Sequence, residues 1–346
     1  MKTRDFHYDL PAHLIAQHPA EPRDASRMLV CNTDNDRLLD SMFRAFPSYL
    51  RRGDVLVVNH SKVIPARLMG VKSDTGVPVE LLLLRRQDQH RWEALVRPGR
   101  RLREGARVLF GDGKLTAVIG ETTSAGGRIV RFVYDGVFEE ILDALGEMPL
   151  PPYIHEQLRN KDEYQTVYAR FDGSAAAPTA GLHFTGQTLE EIRARGVDVV
   201  PILLHVGLGT FRPVKAEDVS HHVMHAEYYE VTAEAAQRIN QARLQGGRVV
   251  CVGTTCVRTL ETVADTQGRI QAGSGMTDIF IKPGDTIKAV DMLLTNFHLP
   301  ESTLLMLVSA MMGTQRTLDA YKEAVSLQYR FFSFGDCMLL GPSLIQ

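Results

Sequence analysis

The sequence is poor in the features that mark secreted, metal-bound or membrane-embedded proteins. Only four cysteines occur in 346 residues, at Cys31, Cys251, Cys256 and Cys337. They form no C-x-x-C pair and no disulfide framework, so reduced thiols in a cytoplasmic protein are expected. No apolar run approaches the roughly 18 residues that a membrane span needs. The opening Met1-Lys-Thr-Arg-Asp-Phe6 lacks the apolar core of a signal peptide. Neither charge sign dominates: 39 Lys and Arg face 41 Asp and Glu, so a nucleic-acid partner has to be held by a local patch. A G-x-S-x-G elbow and a P-loop are both missing, which argues against ordinary serine hydrolysis and Walker-type ATP hydrolysis. Gly207-Leu-Gly209 is not part of a G-x-G-x-x-G that opens a helix, so a dinucleotide fold is not supported.

What is present is a mixture of two patterns. The length suggests two domains, and a hydrophobic content of 44% is ordinary for a globular protein. Residues 63–135 hold short runs at 66–72, 77–84, 92–97, 106–110, 114–119 and 128–134, separated by Gly, Asp, Ser and Thr. Such spacing predicts a small all-β barrel or sandwich. Eight arginines (85, 86, 91, 97, 100, 101, 103 and 107) crowd this region, and read either as a solvated surface or as a phosphate-tracking patch. A short helix is expected at 137–145. The Pro-rich Met148-Pro-Leu-Pro-Pro-Tyr153 makes a domain boundary. In the N-terminal part, residues 28–31 and 55–58 read as strands and 36–50 as helical. Arg23 and Arg27 lie in a charged run that is either a solvated loop or a phosphate contact.

After residue 164 the pattern is α/β. Strands are expected at 197–205, 248–252 and 286–294, each followed by a polar or Gly-rich loop, with a helix through Glu261 and another at 304–312. Strand, loop, helix is the repeating unit of a mostly parallel sheet, whose site lies at the carboxyl ends of the strands. Residues 178–185 form a further loop delivered to an amphipathic helix. There Thr179 and Gly181 suit close approach of backbone to a ligand, and His183 either binds substrate or braces the loop.

His205 and His298, each at a strand end, are candidate catalytic residues. His221 and His225 have the i, i+4 spacing of a metal pair, but no Glu stands between them as in a zinc protease, and no metal site is expected. Thr254 and Thr255 read as helix caps or ligand contacts, and Arg258, one turn on, suits a carboxylate or phosphate. Pro300 and Glu301 fit a first helical turn, which leaves Asn296, Phe297 and His298 after the buried strand unexplained.

Taken together these segments carry a resemblance. Asp24-Ala-Ser-Arg-Met-Leu29, Val63-Ile-Pro-Ala-Arg-Leu68, Tyr164-Gln-Thr-Val-Tyr168, Ala177-Pro-Thr-Ala-Gly-Leu-His-Phe184, Leu204-His-Val-Gly-Leu-Gly-Thr-Phe211, Met224-His-Ala-Glu-Tyr228, Val252-Gly-Thr-Thr-Cys-Val-Arg258 and Leu294-Thr-Asn-Phe-His-Leu-Pro-Glu-Ser-Thr303 occur in this order. The chain resembles the S-adenosylmethionine:tRNA ribosyltransferase-isomerases of the queuosine pathway nearly end to end. His60 departs from the Asn or Asp usual in that family, and Phe171-Asp-Gly-Ser-Ala175 from a more usual Pro-Gly-Ala-Val run.

The resemblance implies a discontinuous, barrel-like α/β catalytic domain of residues 1–60 and 151–346, with a β-barrel inserted at 61–150. It implies transfer and isomerisation of the ribosyl part of S-adenosylmethionine onto a 7-aminomethyl-7-deazaguanine at the tRNA wobble position, giving epoxyqueuosine with loss of adenine and methionine. S-adenosylmethionine is then a consumed substrate, with no further cofactor, and a monomer is expected. For this chemistry His205, His225 and His298 are the acid–base candidates. Phe184, Phe211 and Phe297 would face the sulfonium. Arg258, Thr254 and Thr255 would hold the methionine carboxylate, and Glu227 or Glu301 its ammonium. Thr179, His183, Thr210 and Asn296 complete the substrate set. Arg23, Lys62, Arg67, Arg97, Arg100 and Arg101 are the expected tRNA contacts. The competing readings are a tRNA-binding S-adenosylmethionine-dependent methyltransferase and a non-catalytic RNA-binding protein.

Overall fold

A computed structural model describes residues 1–123, 126–207 and 216–345. The strands are β1 (Arg27–Asn32), β2 (Leu38–Met42), β3 (Val55–Asn59), β4 (Ser61–Val63), β5 (Arg67–Lys72), β6 (Pro78–Arg86), β7 (Arg91–Arg97), β8 (Arg107–Phe110), β9 (Leu115–Thr122), β10 (Arg128–Tyr134), β11 (Gly146–Glu147), β12 (Phe171–Ser174), β13 (Asp198–Leu204), β14 (Glu227–Val231), β15 (Val249–Val252), β16 (Gly273–Thr277), β17 (Met292–Asn296) and β18 (Cys337–Gly341). The helices are α1 (Phe138–Leu145), α2 (Gly186–Ala194), α3 (Ala233–Leu244), α4 (Thr254–Val263), α5 (Thr303–Met312) and α6 (Thr314–Ser326). Two compact units result. One comprises Met1–Ser61, Pro152–Phe171 and Pro178–Gln346; the other comprises Lys62–Pro151 and Asp172–Ala177.

The larger unit is built on a nine-stranded mixed sheet in the order β16-β14-β13-β3-β15-β17-β18-β1-β2. Strands β13, β3, β15 and β17 run parallel. Their apolar runs are continuous because both faces are covered. Val55, Val57, Val249, Cys251 and Leu293 pack on one side, with α3, α4, α5 and α6. Leu56, Val58, Val250, Val252 and Leu294 pack on the other, with Phe43, Phe46, Phe184, Leu189 and Ile192. Three helices start on side-chain caps: Thr185 Oγ1 accepts from Thr188 N, Thr232 Oγ1 from Ala235 N and Ser302 Oγ from Leu305 N. Helix α4 does not; it follows Gly253, whose φ of 85° turns the chain out of β15 and leaves the helix end without a side-chain cap.

The smaller unit is a closed antiparallel barrel of six strands, β5-β6-β7-β10-β9-β8, sealed by the β5–β8 pairing; β11 adds to the outer edge of β5. Alternate residues such as Val79, Leu81, Leu83, Val108, Phe110, Ala117, Ile119, Val130 and Phe132 fill its interior. Helix α1 contributes Phe138, whose ring lies 5.2 Å from Phe132 and 5.8 Å from Trp92.

Several expectations need correction. Residues 36–50 are not one helix. Leu38–Met42 pairs antiparallel with β1 as the edge strand, and a 3-10 turn, Phe43–Tyr49, follows with Pro47 inside it. Hairpin pairing with the preceding strand β1, only five residues upstream, overrode the local helical pattern. The strand expected at 286–294 is confined to Met292–Asn296, because the backbone N–H groups of Lys288 and Ala289 bond to Glu261 instead of a neighbouring strand. Pro300 and Glu301 precede α5 rather than opening it. Ser302 is the cap, and Glu301 adopts a left-handed φ of 60°.

Candidate active site

The parallel strands β3, β13, β15 and β17 bring Asn59, Leu204, Val252 and Asn296 to one edge of the sheet. Strand β18 is antiparallel to β17 and parallel to β1, so Cys337 and Arg27, where these two strands begin, reach the same edge. Asn59 ties the edge together. Its Nδ2 donates to the Leu204 carbonyl (2.9 Å), while its Oδ1 accepts from the N–H groups of Leu204 and Ser61 (3.1 Å each). A polar residue closing the apolar run Val55-Leu-Val-Val58 was the sequence signal for this role.

The turn Thr179–His183 lies against this edge through a fixed network. Thr179 Oγ1 donates to Asn296 Oδ1 (3.1 Å), so the Asn296 amide presents Nδ2 to His183 Nε2 at 3.2 Å. Nε2 therefore accepts, and the proton sits on Nδ1, which faces Ser26 Oγ at 2.8 Å. Burial, reinforced by the Arg330 and Arg23 charges, lowers the His183 pKa to about 3. His183 is thus a neutral brace with both ring nitrogens engaged. The structure favours the bracing alternative and leaves no polar ring atom to hold a substrate. Phe184 is also a packing residue, fully buried with Phe43 and Phe46 at 5.0 and 5.7 Å, and its ring is not presented to a sulfonium. The same correction applies to Phe297, enclosed by Tyr321, Tyr329 and Phe331 at 5.0–5.4 Å.

A second group forms around α4. Glu227, at the start of β14, accepts from Gly207 N with Oε1 (2.7 Å) and from Arg258 Nη1 with Oε2. Arg258 Nε donates to the Ile279 carbonyl at 3.3 Å, while Nη2 is buried and has no hydrogen-bond partner. Thr255 Oγ1, one turn earlier, is likewise buried and unpartnered, and Thr254 is buried beside it. Glu301, by contrast, is partly exposed and is engaged by His7 Nδ1 at 3.0 Å.

The candidate acid–base residues differ in setting. His205 is half-buried; it stacks on Tyr228 at 5.8 Å, and its Nδ1 is buried without a partner. Burial lowers its pKa, with the Glu230 charge opposing. Just past the end of β3, burial lowers the His60 pKa to about 4, with Arg170 and His205 adding to the shift. His298 is buried, with Nε2 3.0 Å from Thr295 Oγ1, its N–H on the Tyr321 hydroxyl (3.0 Å) and its carbonyl on the Tyr8 hydroxyl (2.5 Å). Burial lowers its pKa to about 3. His225 is exposed. Thr210 and Phe211 lie outside the described residues.

Six buried polar atoms that have no hydrogen-bond partner among the described residues belong to this edge and its turns: Ser61 Oγ, Thr166 Oγ1, Tyr168 Oη, His205 Nδ1, Thr255 Oγ1 and Arg258 Nη2. Leaving a buried polar group unpaired costs about 1–3 kcal/mol, so each of these atoms calls for a partner, whether an ordered water or a polar ligand.

The expected tRNA contacts separate into two sets. Arg23 donates to the carbonyls of Gln165 (2.7 Å) and Asp162, Lys62 pairs with Asp172 (3.3 Å), and Arg67 pairs with Glu80 (3.0 Å) and Glu147 (3.6 Å). These cations already have partners inside their own units. Arg85, Arg86 and Arg91 are likewise paired, with Glu93, Glu139 and Asp88. Arg97, Arg100, Arg101, Arg103 and Arg107 are exposed at one end of the barrel and form no ion pair among the described residues.

The chain is similar to known proteins over nearly its whole length. A family model described as "Queuosine biosynthesis protein" matches residues 3–340. The chain is 58% identical over 340 residues to the S-adenosylmethionine:tRNA ribosyltransferase-isomerase of Caldanaerobacter subterraneus, covering 98% of this chain and 100% of that one. It is 60% identical over 341 residues to the protein of the same name from Moorella thermoacetica, with the same coverage. The crystal structure of S-adenosylmethionine tRNA ribosyltransferase from Thermotoga maritima superposes with a TM-score of 0.55 at 38% identity, over 97% of this chain and 99% of that one. The chain therefore belongs to the queuosine biosynthesis family of S-adenosylmethionine:tRNA ribosyltransferase-isomerases.

Proposed function

We propose that this enzyme transfers the ribosyl part of S-adenosylmethionine to the aminomethyl group of a 7-deazaguanine at a tRNA wobble position and isomerises it, releasing adenine and methionine. The catalytic part is residues 1–60 with 151–346, and the barrel at 61–150 is an insertion. The protein works as a cytoplasmic monomer with no cofactor beyond the S-adenosylmethionine it consumes. Among the described residues no helix is long and apolar enough to cross a membrane. The observation that carries the reading is the set of unpartnered polar atoms on the carboxyl edge of the sheet, in a chain that aligns end to end with enzymes of this name.

The methionine carboxylate takes Arg258 Nη2 and the uncapped start of α4, and the ammonium takes Glu227. Both rest on the placement of unused donors and a buried carboxylate. The sulfonium makes the adjacent ribose carbon acidic, and His205 is the base that removes its proton. It is half-buried, and the same burial that lowers its pKa keeps it neutral and able to accept. His298, locked at Thr295, positions the β17 loop, and His225 remains the exposed alternative for protonating departing adenine. Supplying S-adenosylmethionine labelled in the ribose tests the reaction: label must enter the tRNA, while a methyl label must not. His205→Gln is expected to slow adenine release at least about a hundredfold; unchanged turnover would remove the assignment.

The tRNA backbone is held by Arg97, Arg100 and Arg101, because these guanidiniums are exposed and form no ion pair among the described residues. Changing all three to Gln is expected to weaken tRNA binding and to flatten the log–log salt dependence by about two to three units. A slope equal to that of the unmodified protein would move the tRNA surface elsewhere. The S-adenosylmethionine KM is the control and is expected to stay constant.

A further inference from the structure

Thr166 and Tyr168 both carry hydroxyls that have no hydrogen-bond partner among the described residues and are buried against the turn Thr179–His183. A Cβ built on Gly181 would lie 2.0 Å from Tyr168 Oη and 2.8 Å from Thr166 Cγ2, so both side chains rest on the bare backbone of Gly181. The neighbouring residue, Ala180, faces Gly253: a Cβ there would lie 3.5 Å from Ala180 Cβ and 3.5 Å from Thr255 Oγ1. Three unpartnered hydroxyls thus gather around two consecutive residues of one turn and the start of α4.

We infer that Thr166, Tyr168 and Thr255 form the hydrogen-bonding wall that receives the adenosine part of S-adenosylmethionine. This deepens the proposed function and rests on it. Hydroxyls both donate and accept, which suits the mixed donor and acceptor edge of a nucleoside better than the fixed charges of an amino acid. The charged end already has its own partners in Arg258 and Glu227. Burial, with the Cys256 thiol adding to it, raises the Tyr168 pKa well above its ordinary value, so the phenol keeps its proton and is a donor at all working pH values. The rest of the Tyr168 ring is packed edge-on to Phe184 at 6.2 Å, which fixes where the hydroxyl points.

The test compares Tyr168→Phe and Thr166→Val, each nearly isosteric, by steady-state kinetics and by thermal unfolding with and without S-adenosylmethionine. Each variant is expected to raise the S-adenosylmethionine KM about three- to tenfold while leaving the tRNA KM unchanged. The unliganded Tm should stay level or rise, since an unpaired buried group is removed, and the Tm increase given by S-adenosylmethionine should shrink. A purely structural hydroxyl, or one satisfied by an ordered water, would give the opposite pattern: an unchanged KM and ligand shift, with a lower unliganded Tm. That pattern in both variants overturns the inference, and if one variant fails to fold the other decides. Failure of the reaction assignment looks different: the unmodified protein would then release no adenine, whatever the variants do to ligand-induced stabilisation.

Discussion

Arg258→Lys is expected to lower kcat/KM for S-adenosylmethionine by about thirtyfold or more while the protein still folds. The lysine ammonium can replace Nη1 beside Glu227, so the buried charge of that carboxylate stays paired. It cannot reproduce the second arm of the guanidinium fork, and that arm, Nη2, is the one without a partner. Loss of one partner from a desolvated charge pair with a ligand costs about 2–5 kcal/mol, which sets the size of the effect. Arg258→Ala separates the two functions of the residue. It removes the cation paired with the buried Glu227 carboxylate and should destabilise the fold by about 3–5 kcal/mol in addition to removing activity. An Arg258→Lys enzyme with an unaltered KM would mean that Nη2 does not meet the substrate.

The second large effect is on stability against pH. His183 and His298 have folded-state pKa values of about 3, well below the ~6.5 of an exposed histidine. Between those values the unfolded chain binds protons that the native chain does not, so stability rises with pH and falls as the solution is acidified. The contribution is fully present above about pH 6.5 and is lost progressively toward pH 3. Each histidine adds a slope of at most about 1.4 kcal/mol per pH unit in that window. His183→Gln and His298→Gln are each expected to be less stable than the unmodified protein at pH 7.5 and to show a shallower loss on acidification. Denaturant unfolding at a series of pH values gives both quantities. Parallel curves for variant and unmodified protein would show that these rings titrate normally in the native state.

The barrel was legible because its strands carry period-two alternation, with Val79, Leu81 and Leu83 inside, and are divided by turn residues. The parallel core was legible as short continuous apolar runs such as Val55-Leu-Val-Val58. The edge strand β2 was not: its partner β1 is the source of its order, and its own pattern, mostly exposed and followed by Pro47, carries no strand signal. The loops of the site were recognisable as loops, but the division of labour within them was not. His183 reads as a ligand contact until its partners are known, and these are Ser26 and Asn296, 157 and 113 residues away along the chain. Phe184 and Phe297 stand in polar loops, yet the tertiary packing turns both rings inward. Charge counting in the barrel could not tell Arg86, neutralised by Glu139, from Arg100, which has no ion pair among the described residues; only the fold brings carboxylates to some arginines and not to others.

Product analysis tests the central claim most directly. The protein is incubated with S-adenosylmethionine and a tRNA carrying the aminomethyl deazaguanine at the wobble position, and the small-molecule products are quantified. Ribosyl transfer predicts free adenine and methionine in equal amounts, one of each per modified tRNA, and no S-adenosylhomocysteine. S-adenosylhomocysteine without adenine would make the protein a methyltransferase, and tRNA binding with neither product would make it a non-catalytic RNA-binding protein.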